Sequence, residues 1–306
     1  MNCPGHMMIY KNQLYSYRDL PIRLAEFGQV HRHEYSGALN GLLRVRTFCQ
    51  DDAHLFVRPD QIEDEMKNVL FQIDKVYRTF GFDYSVELST RPQNSMGSDR
   101  LWEKAEQSLK QVLVDLHVPY QVNEGDGAFY GPKIDFHIKD AMKRSHQCAT
   151  VQLDFQMPEK FNLSYMDEKN DKQRPVVIHR AISGSLDRFL GILIEHFAGS
   201  FPLWLAPIQA VIVPVAGVHL HYAEKLKKQL ENCGIRVNID RSSEKLNNKI
   251  RMAQKSRVPY TLVIGDQEIE KNEVNVRVHS GKSSEAMAID QFKSMILEKI
   301  AKRELG

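Results

Sequence analysis

Three residues far apart in the chain, Cys3, His54 and His179, are of the types that ligate a transition metal. They form a site only if the fold brings them together, since scattered histidines otherwise serve as surface or core residues. A denser polar group runs from His31 to His54, HRHEYSGALNGLLRVRTFCQDDAH. Its strand-like flanks, joined by the glycine-bearing loop 35–41, read as a hairpin. On that reading Leu42–Val45 is a short β-like run, and Arg32, Arg44 and Arg46 lie on neighbouring strands. Alternate positions of paired strands share a face, so Arg32, Glu34 and Arg44 could converge on a polyphosphate and a base. A charged, solvated hairpin face fits the same pattern. Two further fragments carry polar chemistry. GDGAFYGPKIDF (125–136) sets three glycines, an aromatic pair and Lys133 ahead of a strand, and HRAISGSLDRF (179–189) runs from His179 through a Gly184-Ser185 turn to Arg188. The motifs of the commonest nucleotide, protease and hydrolase templates (Walker A, GxGxxG after a strand, HExxH, GxSxG) do not occur.

These residues need a scaffold, and the first 200 residues supply short β-like runs rather than strict βα alternation. The runs are Leu42–Val45, His54–Val57, Tyr84–Leu88, Lys133–Ile138 and Val151–Phe155. Helices are expected over Pro59–Phe80, with Ile62, Met66, Val69, Leu70, Ile73 and Val76 on one face, and over Ser98–Leu116, opened by Ser98 as N-cap. Sequential strands of this kind imply a mixed, largely antiparallel sheet with helices packed on it. Two prolines bracket a short apolar segment at 202–207, where a linker is expected. Beyond it, apolar runs at Ala210–Val215, Ile235–Ile239 and Tyr260–Ile264 alternate with helical periods at Tyr222–Asn232 and Ser243–Lys255. Val274–Val278 and an amphipathic Ile289–Ala301 follow. That alternation predicts βαβ units with parallel pairing in a three-layer α/β domain.

Composition agrees with two globular domains: 306 residues, 42% hydrophobic and 26% charged, with a net charge of only +2. The charge is uneven, since residues from Ile208 onward hold 17 basic against 12 acidic side chains, so the second domain could face a polyanion. Four widely spaced cysteines are too few for a disulfide framework and imply reduced thiols or a metal ligand. No stretch reaches the roughly 18–20 apolar residues of a membrane span, and no targeting sequence is recognisable at the N-terminus, so no membrane association and a cytoplasmic location are expected.

Taken together, Asn2-Cys3-Pro4-Gly5-His6, the segment Arg32-His33-Glu34 to Arg44-Val45-Arg46-Thr47-Phe48, Gln50-Asp51-Asp52-Ala53-His54, Gly127 to Ile134, and His179-Arg180-Ala181 through Arg188 resemble a threonyl-tRNA synthetase, a class II aminoacyl-tRNA synthetase. The match runs in order from the first residue to the C-terminus. It resembles a class II catalytic domain lacking its N-terminal portion at 1–201, followed by an anticodon-binding domain at 208–306. The implied activity is ATP-dependent activation of L-threonine as threonyl-adenylate and its transfer to threonine tRNA. The segment from Arg32 to Phe48 resembles motif 2, and Arg188 the motif 3 arginine. The resemblance implies that Arg32 holds the α-phosphate, Phe48 stacks on adenine, Arg188 meets the far end of ATP, and Glu34 and Arg44 complete the ATP site, with Mg²⁺ accompanying the nucleotide. It makes Cys3, His54 and His179 the ligands of one zinc ion, Asp52 the acceptor of the substrate hydroxyl, and Tyr130, Lys133, Gln147 and Gln152 further pocket residues. In the second domain Glu268 and Arg277 match positions that contact anticodon bases.

Two departures stand out: Cys49 occupies a position where threonine or a similar residue is expected, and Asp187 replaces the usual glutamate before Arg188. Nothing in the chain resembles the family's N-terminal editing domain, or motif 1, whose helix and strand form the homodimer interface in the full-length family. The chain is therefore expected to be weakly active without that part, and the second reading is a catalytically inactive or fragmentary paralogue that acts as a tRNA-binding module.

Overall fold

A computed structural model describes residues 2–279, 281 and 284–305. It divides into two units, Met1–Leu193 and Ile194–Gly306. In the first, seven strands form one sheet: β1 (Ile22–His31), β2 (Thr47–Val57), β3 (Tyr84–Ser89), β4 (Gln121–Asn123), β5 (Lys133–Lys139), β6 (Ser145–Asp154) and β7 (Val176–Ser185). Their order is β1-β2-β7-β6-β5-β3-β4, and every neighbouring pair is antiparallel except β3 with β4. The mixed, largely antiparallel α/β fold expected from the strand runs is thus present.

Strand alternation sorts the side chains into two faces. Leu55, Val57, Ile178, Val151, Leu153, Ile134, Ile138, Val86 and Leu88 are buried and turn to one side, where helices α2 (Ile62–Thr79) and α3 (Asp99–Asp115) pack. Helix α2 buries Ile62, Met66, Val69, Leu70, Ile73 and Tyr77. Its last turn points Tyr77 inward, one position beyond the expected Val76, and the phenol donates to the Ile182 carbonyl while accepting from the Ala149 amide. Position 98 does stand as the α3 N-cap, in an extended conformation, but its hydroxyl makes no capping hydrogen bond.

The opposite face is polar. Register places His54 across from His179, His179 across from Gln152, and Gln152 across from Lys133. One step along, Glu26, Asp52, Ala181, Thr150 and Asp135 stand in a parallel row. One end of this face is covered by helix α1 (Cys3–Lys11), which starts with proline in its first turn and buries Cys3, His6, Met7 and Tyr10. Their i, i+3, i+4, i+7 spacing makes one inward stripe. Met7 and Tyr10 pack with Tyr15, Leu20, Phe56, Leu163, Tyr165 and Val177, and Tyr10 stacks on Phe56 with centroids 4.3 Å apart. Helix α1 and strand β1 were not anticipated from the sequence, because a nine-residue helix and an edge strand with alternate exposed positions carry little periodic signal.

The hairpin reading needs a correction. Strands β1 and β2 do form a hairpin, but residues 32–46 are its loop: Ser36–Ala38 is a short 3₁₀ turn, and in Leu42–Val45 the first two residues are turn and Arg44 makes only an isolated bridge with Asn40. Arg32, Arg44 and Arg46 therefore sit on a loop and not on neighbouring strands. The ladder closes where the Arg32 amide donates to the Arg46 carbonyl at 2.8 Å.

The second unit is a five-stranded sheet of β8 (Ala210–Pro214), β9 (Val237–Ile239), β10 (Tyr260–Ile264), β11 (Glu273–Val278) and β12 (Ser284–Ala288), in the order β9-β8-β10-β11-β12. Pairing is parallel among β9, β8 and β10, as expected, but antiparallel among β10, β11 and β12. Helices α5 (Leu220–Asn232) and α8 (Ile289–Lys302) bury Ala223, Leu226, Leu230, Phe292 and Ile296 against one face. Helix α6 (Leu246–Lys255) packs Ile250 against Val213 and Val263 on the other, which makes three layers. The expected linker is folded onto this unit, since Arg236 donates to the carbonyls of Trp204 and Ala206, both at 2.9 Å.

Candidate active site

The polar sheet face gathers Cys3, His54 and His179 into one cluster. The thiol and one nitrogen of each ring lie within 4.8 Å of one another, and none of the three residues is more than 5% exposed. The remaining ring nitrogens are held. His179 Nε2 donates to Asp154 Oδ2 at 2.8 Å, and His54 Nδ1 lies 2.7 Å from Nδ1 of His6. That leaves His54 Nε2 and His179 Nδ1 buried without a hydrogen-bond partner among the described residues. Buried polar atoms are nearly always satisfied, and two such imidazole nitrogens with a buried thiol are donors of the types that could hold a metal ion. Burial, together with His179 and His6, pushes the pKa of His54 down to about 2, so its ring is neutral. Burial opposes charge on His179 too, but the hydrogen bond and charge of Asp154 and the neighbouring Cys3 outweigh it and raise the pKa to about 9. Cys148 is a different kind of thiol, pushed by burial up to about 12.

Around the cluster the expected pocket residues take definite places. Tyr130 donates its hydroxyl proton to Gln152 Oε1, and its ring lies 5.1 Å from that of His179. Its neighbour Gly131 has to be glycine, because a Cβ there would lie 2.1 Å from the Leu153 carbonyl oxygen. Lys133 Nζ sits 2.7 Å from Asp135 and 3.1 Å from Asp126. Burial disfavours its charge, yet the two carboxylates hold its pKa above the ordinary lysine value. Asp135, 1% exposed, also accepts from Gln147 at 2.5 Å, from Thr150 at 2.8 Å and from Ser89 at 3.2 Å. Asp52 is buried beside the triad, and burial, partly offset by His179 and His6, raises its pKa.

The arginines approach from the hairpin loop and from helix α4 (Leu186–His196). The Arg32 guanidinium lies over the Phe48 ring, 5.2 Å from its centroid. Arg44 forks onto Glu34 at 2.8 and 3.0 Å, and Arg46 donates to the Glu34 carbonyl at 2.9 Å. Arg188 ties the two sources together by donating to the Leu43 carbonyl at 2.8 Å and to the Gln147 carbonyl at 2.9 Å. A bulge in β7 between Ala181 and Ser185 aims the start of α4. Asp51 accepts from the amides of Ile182 and Ser183 at 2.8 and 3.0 Å, while Gly184 adopts φ +69°, where a Cβ would stand 2.4 Å from the Cys148 carbonyl oxygen. The two departures are accommodated: Asp187 accepts from the Cys49 amide at 3.1 Å.

Residues 1–197 match the tRNA synthetase class II core domain (G, H, P, S and T), and residues 209–299 match the anticodon binding domain. The chain belongs to the threonyl-tRNA synthetases. It is 64% identical over 303 residues to threonine–tRNA ligase 2 of Bacillus subtilis, covering 99% of this chain and 48% of that protein. It is 55% identical to threonine–tRNA ligase of Carboxydothermus hydrogenoformans, again covering 98% and 48%. Among solved structures, the RNA binding domain of threonyl-tRNA synthetase from Cryptosporidium parvum superposes with a TM-score of 0.94 at 42% identity, over 100% of this chain and 76% of that one. The chain thus spans about half the length of the curated threonyl-tRNA synthetases it matches.

The second unit carries the remaining two expected residues of this threonyl-tRNA synthetase chain. Glu268 lies in the short helix α7 (Asp266–Lys271), and its carboxylate accepts from the Gly265 amide at 2.9 Å. Arg277 is on β11, where its Nε is buried without a partner among the described residues. No helix among the described residues is long and apolar enough to cross a membrane. Sequence reasoning missed four residues that hold the site: His6, Glu26, Asp135 and Asp154. Two of them had a visible signal. His6 follows Cys3 by three residues, one helical turn, and Asp135 is the one acidic residue in the strand run Lys133–Ile138.

Proposed function

We propose that this chain activates L-threonine with ATP and transfers the threonyl group to threonine tRNA, residues 1–201 carrying the chemistry and residues 208–306 reading the tRNA. The observation that carries this reading is the buried Cys3–His54–His179 cluster in a chain of this family. In the first step a carboxylate oxygen of threonine attacks the α-phosphorus of ATP. The bond from that phosphorus to the bridging oxygen breaks, and pyrophosphate leaves. In the second, a ribose hydroxyl at the tRNA 3′ end attacks the acyl carbon and AMP leaves.

Cys3, His54 and His179 would hold a zinc ion, which would supply a Lewis-acidic anchor for threonine, and Mg²⁺ would accompany ATP. Asp52 accepts from the substrate hydroxyl, and Tyr130, Lys133, Gln147 and Gln152 wall the pocket. Such a site rejects valine strongly, because valine leaves polar groups unpaired, whereas serine lacks only a methyl group worth about 1–3 kcal/mol. Arg32 neutralises charge developing on the α-phosphate, Phe48 stacks on adenine, Glu34 and Arg44 complete the ATP site, and Arg188 meets the far phosphates. Glu268 and Arg277 read anticodon bases, Arg277 offering an unpaired Nε.

Threonine-dependent exchange of labelled pyrophosphate into ATP tests the catalytic half, and near-stoichiometric zinc is expected in the purified chain. Absence of exchange together with salt-dependent binding of threonine tRNA would favour a tRNA-binding module, which the chain's coverage of about half of its relatives also accommodates.

A further inference from the structure

We propose that His6 and Glu26 form an outer relay that locks His54 as its Nδ1–H tautomer and so reserves its Nε2 lone pair for the metal. The inference rests on the zinc reading above and adds two positioning residues to it. The rings of His6 and His54 meet edge to face, 4.8 Å between centroids and 80° between planes. Their Nδ1 atoms are 2.7 Å apart in a buried contact, so one of these atoms donates and the other accepts.

The surroundings decide which. Were His6 the donor, the proton of neutral His54 would sit on Nε2, the nitrogen that is buried with no partner. That places an unsatisfied N–H in the interior and removes the lone pair a metal needs. The reverse assignment leaves no N–H of His54 unpaired and sets the His6 proton toward a carboxylate. His54 donates from Nδ1 to His6 Nδ1, and His6 carries its own proton on Nε2, 3.6 Å from the Glu26 carboxylate. An ionised carboxylate only accepts, so Glu26 favours that tautomer of His6.

Position follows from the elements. His6 lies one turn beyond Cys3 on the inward stripe of α1, pinned by Met7 and Tyr10 in the apolar cluster. Helix α1 therefore carries one ligand and also the group that orients a second. Glu26 stands on β1 directly across from Asp52. His179 is held through its other nitrogen by Asp154, so the two imidazoles are oriented by opposite ring atoms. Partners of this kind fix ring orientation and raise ligand basicity.

The test uses the full chain with two readouts. Long-range ¹H–¹⁵N spectra of the zinc-free protein report the His54 tautomer, and competition with a chromophoric chelator reports zinc affinity. Wild type is expected to show His54 protonated at Nδ1. His6→Leu is expected to weaken zinc binding by about 10–100-fold and to give a mixture of His54 tautomers. His6→Asn, which keeps an acceptor near the Nδ1 position, is expected to restore most of the affinity, and Glu26→Gln to weaken it by less than His6→Leu. His54 protonated at Nε2 in the wild type, or His6→Leu binding zinc as tightly as wild type, would overturn the relay. A wild type that binds no zinc yet shows the Nδ1–H tautomer would instead sink the metal reading and leave the lock standing.

Discussion

Cys3, His54 and His179 are at most 5% exposed and are fixed by a helix stripe and two paired strands, whereas Glu34 and Arg44 occupy a loop where the Arg44 side chain is 52% exposed. Both regions draw on strand β2, which carries His54 and begins where the loop ends. The first is built from groups whose positions the ladder register dictates, and its unsatisfied atoms are already aimed. The second is a set of cations lodged on protein partners, Arg32 on Phe48 and Arg44 on Glu34. Recognition of a small, invariant group suits the rigid region, and clasping of a flexible polyphosphate suits the adjustable one.

The largest expected effect lies in the rigid region. Cys3→Ala or His179→Ala should abolish stoichiometric zinc and lower threonine-dependent exchange by about 10³-fold, since a Lewis-acidic anchor is worth several kcal/mol. Metal analysis by plasma emission and the exchange assay check this on the same samples. Unchanged zinc in both variants would break the comparison at its root. Next comes Arg32→Ala in the loop, expected to cost about 10²–10³-fold in exchange rate, as for a lost stabiliser of developing charge, while zinc content stays at the wild-type level. Zinc loss in this variant would mean that the two regions are one cooperative unit.

How much of this was legible depended on the kind of constraint involved. Strands with apolar periodicity, such as Lys133–Lys139 and Tyr260–Ile264, and helices α2 and α3 read directly from their patterns. The loop 32–46 did not, because alternating charges around glycines look alike on a strand and on a turn, and only the ladder partner settles the matter. Helix α1 was hidden by its length. Of the candidate site, Arg32, Glu34 and Arg44 were singled out by the residue pattern, whereas the roles of these residues and the grouping of Cys3, His54 and His179 came only through resemblance, spacing alone leaving those three as scattered candidates. Asp154, which holds His179, and Glu26, which faces His6, come from register and three-dimensional packing that no one-dimensional pattern encodes.

A third expectation probes the scaffold that joins the regions. Gly184→Ala puts a Cβ at φ +69° within 2.4 Å of the Cys148 carbonyl oxygen, so the β7 bulge must shift. Strain of that kind costs about 1–3 kcal/mol, visible as a lower midpoint in urea unfolding. Because Arg188 lies in the first turn of the helix just beyond the bulge, the KM for ATP should rise as well, with zinc content little changed. A variant as stable as wild type would show that the bulge is not held by this contact.

The smallest effect belongs to the exposed pair. Arg44 and Glu34 join at 2.8 Å, but the arginine side chain is half exposed, and a solvent-facing ion pair contributes only about 0–1 kcal/mol to stability. Glu34→Gln should therefore leave the unfolding midpoint nearly unchanged. Its consequence is expected in nucleotide binding, where an Arg44 fork released from its carboxylate partner meets ATP without first breaking an ion pair, while a group proposed to complete the ATP site is altered. These two contributions oppose one another, so the KM for ATP should move by only a few-fold, and the salt dependence of that KM shows which dominates. A large loss of stability in Glu34→Gln would mean that the loop is fixed by the pair, as firmly as the triad is by its strands, and the contrast between an adjustable and a rigid region would fail.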